Sequence, residues 1–559
     1  MMNWIVTLYG FLSVLMHGLV LGAQSLTLGG VLFFLVVLSP MPKIDDSIRA
    51  SILRWIRRWA LLLAAIEILY VTLDIAILMR SGGFALSAVM SANFVLAGLL
   101  SSASALAIAV MTTVNRLRRR VGLLLPSSLI LTSAVMTSHA IARLDHRLPL
   151  GVLTAAHQAA TAAWVGGLPY LLISLKLLSS PGMMRELCAK FSRLAMFSVG
   201  VLVAAGFGLA RAYVGSWDAT YGTTYGIMVA GKVVLFGMLL GLGALNFRIV
   251  RQRLKGAGSS LRLLQHFGEV EIGVGFTVIL LAASLTSLPP AADIPQPTLP
   301  DTRVAERLAP QWPPPIIPPP VIPPPIIAES NAATHDNQLL PRLAALKTVV
   351  AETAIAPAVS GPSGALARES WMDDPHHWAA LVVISVGVLA LLAHSKRLRY
   401  ARNWPLFFSA LGFVLFLMAD SQYWPLGAES FWSSFSDPVV LPHRIIEILI
   451  TLFGVLEWRV QTQRVTSTEV RLVFPCLVAL CSALLLTHSH GASDSQVQPE
   501  LLPEASHVSI AILGVAGGWS RWLELRVPPQ DRTRSIMSWL WPVCFLLVGV
   551  LLACYQGSS

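Results

Sequence analysis

Histidine and methionine carry most of the chemistry this chain offers. It holds thirteen histidines, and imidazole is the commonest protein metal ligand, binding through a neutral ring nitrogen. Met136 and His139 stand three apart, which puts both on one face of a helix. His146 follows in a short loop, and His157 comes early in the next apolar segment. Met16 and His17 are adjacent near the N-terminus. A second group lies in the last third of the chain. It comprises Asp373-Asp374-Pro375-His376-His377, His443 one turn before Glu447, His488-Ser489-His490, and His507 three residues after Glu504. Thioether selects Cu(I) and imidazole accepts either copper oxidation state, so the donor set suits copper. The competing readings are histidines that merely sit at a membrane interface and methionines that merely pack.

These side chains must be held by membrane helices. Of 559 residues, 55% are hydrophobic and 12% charged, with a mean hydropathy of +0.68. Soluble domains carry about 25% charged residues, so an ordinary water-soluble enzyme is excluded. A span needs about 20 apolar residues. Eight such runs fall at roughly 12–38, 59–79, 88–112, 121–142, 151–175, 194–213, 226–247 and 270–288, and six more between 377 and 555. The expected fold is all-α: a polytopic helical bundle of about fourteen spans, eight plus six. The alternating pattern of a membrane β-barrel is absent. The first run lacks a basic leader and a small-residue cleavage site, so it reads as an uncleaved span.

The loops after odd-numbered spans carry most of the 40 Lys and Arg. The positive-inside bias then places those loops in the cytoplasm and both termini outside. The net charge of +11 is thus topological, and no nucleic-acid partner is expected. Residues 1–290 form an eight-helix unit, 291–370 a Pro-rich extracytoplasmic linker of polyproline II character, and 371–559 a six-helix unit. In this topology all the histidines except His266 and His394 fall at or near the outer face.

Charges within spans need partners, since a lone one costs a few kcal/mol or more. Glu67 and Asp74 are seven apart and share a stripe of the second helix. Asp74 is expected to pair with Arg211 or Lys232, and proton coupling through Glu67 is the alternative role. The five cysteines form no C-x-x-C or C-x-x-C-H, so neither a disulfide framework nor covalent haem is indicated. Cys476 and Cys481 read as core. With no P-loop and no Asp-Lys-Thr-Gly motif, the chain is expected to be a carrier rather than an ATP-driven pump or an enzyme.

Several of these segments resemble the CopD copper-resistance family. They are Ser138-His139-Ala140, the run from His157 to Trp164-Val165-Gly166-Gly167-Leu168, Phe191-Ser192-Arg193-Leu194, Gly231-Lys232-Val233 through Ala244-Leu245-Asn246, and Leu285 to Pro290. The resemblance covers about residues 1–290; Ser138 stands where the family usually has Gly. It implies an eight-helix bacterial inner-membrane protein that imports copper from the periplasm, often with a small CopC-type copper-binding partner. Carried over by position, His139 and His157 are the ligands, with His17 less diagnostic. Gly166 and Gly167 would permit close helix contact beneath His157. Two other functions stay open on the same residues: a membrane redox protein holding haem b between histidines, and a factor delivering copper to a respiratory oxidase.

Overall fold

The computed structural model describes residues 2–114, 116–143, 146–253, 259–293, 379–394, 398–418, 423–424, 427–435, 440–486 and 501–554. Among these residues the architecture is helical throughout, apart from an isolated bridge between Tyr423 and Glu429. The first part comprises α1 (Met2–Leu32), α2 (Asp46–Ser81), α3 (Asn93–Met111), α4 (Arg116–Met136), α5 (Arg147–Thr161), α6 (Leu168–Leu177), α7 (Pro181–Tyr213), α8 (Thr224–Arg253) and α9 (Ser259–Ser287). The second comprises α10 (Ala379–Leu392), α11 (Pro405–Met418), α12 (Leu441–Gln461), α13 (Val473–Leu485), α14 (Leu501–Arg526) and α15 (Arg532–Ala553). Among the described residues, nine helical stretches are long and apolar enough to cross a membrane. Side chains such as Phe197, Phe207 and Val121 are more than 70% exposed on their surfaces. Water penalises such a surface, whereas lipid tails do not. The chain is a multi-pass membrane protein.

α1 is the central post of the first part: 78% of its apolar window is buried. It packs against a π-helical segment, Ala162–Gly166, at backbone distance. A Cβ on Gly166 would lie 1.9 Å from the Ser25 carbonyl oxygen, and one on Gly29 would lie 2.3 Å from that of Ala162. Small residues let membrane helices approach this closely and gain dispersion contacts. Outside the span, Asp45 caps α2. Its carboxylate accepts from the Ser47 N–H at 3.1 Å and the Ser47 hydroxyl at 2.9 Å. The backbone N–H bond above all holds this carboxyl below the usual carboxylate range.

One expected span is interrupted. The run 121–142 is not one helix: α4 ends at Met136, Ser138 is extended, and His139 opens a separate short turn to Ala142. The Ser138 hydroxyl donates back to the Val135 carbonyl at 2.7 Å, the local competition by which Ser and Thr end helices. Met136 and His139 therefore do not share a helix face. The run 151–175 stays one helical span, Arg147–Leu177, with the π segment inside it and Pro169 in the turn that follows.

The second part has its own apolar core around Val386, Trp404, Phe474, Trp541 and Phe545. It also shares the first core: Val508, Ala511, Val515 and Trp522 of α14 are buried together with Leu235 of α8 and Val274 of α9. A Cβ on Gly273 would fall 1.9 Å from the Trp519 ring, and Arg526 pairs with Glu269 at 3.3 Å. Cys476 and Cys481, expected in the core, are exposed; the helix turns Phe474 and Ala479 inward instead.

Arg521 anchors α14 against α12. It donates to Glu457 and Glu524, both at 2.7 Å, and Glu524 also accepts from Trp541 Nε1 at 2.7 Å. Arg521 and Glu457 are almost wholly buried. Arg521→Met leaves two carboxylates without their cation, a loss expected to cost about 3–5 kcal/mol. Thermal unfolding in detergent should show a markedly lower midpoint, partly recovered by adding Glu457→Gln. An unchanged midpoint contradicts this anchoring role.

Candidate functional site

The sequence-selected groups of the first part occupy different depths along the bundle. At the outer end, the His139 ring meets Tyr213 and Tyr225 edge-on, with centroids 5.9 and 6.4 Å away. Its Nε2 lies 3.3 Å from the Leu285 carbonyl oxygen at the end of α9. Arg143 closes this mouth. It stands over Tyr213 with 5.3 Å to the centroid, donates to the Ala212 carbonyl, and pairs with Asp293.

His157 lies deeper. It packs beside Gly206 of α7, whose added Cβ would be 3.6 Å from the imidazole. Lys232 of α8 is near enough to act on it electrostatically. Tyr213 is seven residues beyond Gly206, and Lys232 is seven beyond Tyr225. At 1.5 Å rise per residue both helices place His157 about 10 Å below His139. The two imidazoles thus stand at successive levels along the bundle. His157 Nδ1 is buried and has no hydrogen-bond partner among the described residues. The neighbouring Gln158 accepts from Gln24 of α1 at 3.2 Å.

The other selected residues are dispersed. The His17 ring faces Tyr70 of α2 at 6.1 Å, while its neighbour Gly18 faces Leu280 of α9. His146 is exposed, with φ of 60° at the start of α5, and Met136 is half-buried at the end of α4. His507 lies in the second turn of α14, where the adjacent Val508 packs on Gly231, the residue before Lys232. His376, His377, His488 and His490 lie outside the described residues, as does the side chain of His443. Among the described residues, no three His, Cys, Asp or Glu side chains converge as a metal cluster.

Asp74 does not take its expected cation. Its Oδ1 accepts from the Tyr9 hydroxyl at 2.8 Å, while Arg211 is exposed. A neutral donor from α1 thus takes the place foreseen for a charged one. Glu67, two turns away on the same stripe, is buried against Gly98 of α3.

A third level was not foreseen as a site. Trp164 Nε1 donates to Glu271 Oε1 and Asn246 Nδ2 to Glu271 Oε2, each at 2.8 Å. Glu271 is 2% exposed. It precedes Leu285 by 14 residues on α9, so it lies about 21 Å below His139. Trp164 and Asn246 stand out in the sequence only as parts of larger motifs. Their convergence on a carboxylate from a third helix leaves no local spacing signal.

The comparisons with known proteins bear on this stretch. The family described as Copper resistance protein D (CopD) matches residues 185–285. The "Copper transport protein CutJ" of Bacillus subtilis (strain 168) is 32% identical over 146 residues, covering 25% of this chain and 26% of that relative. The chain thus matches about a quarter of that relative's length. No solved structure matches. The segment that supplies Gly206, Lys232, Asn246 and Glu271 is accordingly the part of the chain that matches the CopD family.

Proposed function

We propose that this chain takes up copper from the outer face of a bacterial inner membrane and passes it inward along the first bundle. The observation that carries the reading is His157 Nδ1, a buried imidazole nitrogen without a partner, one level below His139. A buried polar atom left unsatisfied costs about 1–3 kcal/mol, and a passing soft cation would satisfy it. The match to copper-resistance protein D and the likeness to a protein named for copper transport support copper as the cargo. Fourteen spans with both termini outside would put the histidine-bearing mouth in the periplasm, where a CopC-type protein could deliver the ion. The histidines of the second part would form a separate outer station.

The test is copper accumulation by vesicles carrying the purified full-length chain, with copper analysis of the protein itself. Saturable uptake above protein-free vesicles is expected. Absence of both uptake and bound copper overturns the proposal, and a strong Soret band would point to haem instead.

A further inference from the structure

Glu271 faces a cavity to which the copper reading assigns no residue. The cavity has a volume of about 340 Å³ and lies between α6, α7, α8 and α9 at the end of the bundle away from His139. Its wall is mainly apolar and includes Cys188, Phe191 and Leu240, with Trp164, Asn246 and Glu271 at its polar end. Glu271 and Cys188 are the titratable side chains among the lining residues, and no Lys or Arg joins them. On the far side of α9, Glu269 turns away to Arg526 and His266. Among the described residues, the Glu271 carboxylate therefore meets two neutral donors and no cation. A charge so placed is costly to bury.

A second observation concerns its partner. Asn246 is 9% exposed, and while its Nδ2 donates to Glu271, its Oδ1 has no hydrogen-bond partner among the described residues. An amide carries both donor and acceptor, whereas the Trp164 indole N–H only donates. Asn246 can thus serve either protonation state. Its N–H₂ group serves the carboxylate, and its Oδ1, after the amide turns, accepts from the carboxylic O–H.

We propose that Glu271 is a proton-binding site that exchanges protons with water entering this cavity. On binding, a hydronium O–H bond breaks as a Glu271 O–H bond forms, and the side chain goes from −1 to neutral. Release reverses the step, and no electrons are transferred. The site is separate from the copper reading, and its test needs no copper.

The experiment is pH-difference infrared spectroscopy of the full-length chain in vesicles. A carboxylic-acid carbonyl band that disappears with rising pH is expected, and Glu271→Gln should remove part of it. In Trp164→Phe the carboxylate loses one donor, so this component should persist to a pH about one unit higher. A purely structural Trp164 would leave that midpoint unmoved. An identical difference spectrum in Glu271→Gln overturns the proposal. Where that variant does not assemble, labelling of the wild-type chain with a lipid-soluble carbodiimide, mapped by mass spectrometry, decides. Label on Glu271 that falls at least tenfold at alkaline pH supports the site, and an unlabelled Glu271 overturns it.

Discussion

Replacing His157 by alanine lowers copper uptake at least tenfold, and adding His139→Ala lowers it little further. The reason is geometric. The two imidazoles stand about 10 Å apart along the bundle, so an ion would meet them in series. Loss of either station interrupts the same path, and effects in series do not add. Even groups that merely support a metal ligand change affinity about 10–100-fold when removed, so losing the ligand itself should do no less. Equilibrium binding should behave differently: each single variant loses its own station, and copper stoichiometry falls stepwise. A shared site would show the reverse, with either single substitution emptying the whole of it. Vesicle uptake and copper analysis on the two single variants and the double variant separate the cases. Wild-type uptake in the folded double variant would remove these histidines from the path.

The second large effect is structural. Gly166→Ala puts a methyl group 1.9 Å from the Ser25 carbonyl oxygen and 2.6 Å from its carbon. Both are backbone atoms of the buried central helix, so neither can rotate away as a side chain would. Overpacking usually costs about 1–3 kcal/mol, and this contact should exceed about 3 kcal/mol. The variant is expected to yield little monodisperse protein. Gly200→Ala on α7 is the control, since its Cβ would meet nothing within 4 Å. It should be neutral or slightly stabilising, because alanine favours helix over glycine by about 1 kcal/mol. Similar melting of wild-type and Gly166→Ala chains would refute the backbone contact.

Much of this molecule was legible from residue order. Apolar runs and the low charge content required membrane helices, because only internally bonded backbone can cross lipid. The motifs around His139, His157, Trp164 and Lys232 pointed to the CopD family before any geometry was known. Local rules failed where a hydroxyl competed with regular helix: Ser138 separates His139 from Met136.

The sequence alone therefore determined the helical membrane class and the family that the 185–285 segment matches, and it named the candidate donor side chains. The tertiary structure decided how those donors are arranged. It placed His139 and His157 at different depths, gave Asp74 to Tyr9, seated α14 on the first bundle, and joined Trp164 and Asn246 to Glu271. Hydropathy and spacing are local along the chain, whereas a hydrogen bond between residues 164 and 271 depends on which helices pack side by side. Helical periodicity states which face a residue occupies but not which helix will meet that face.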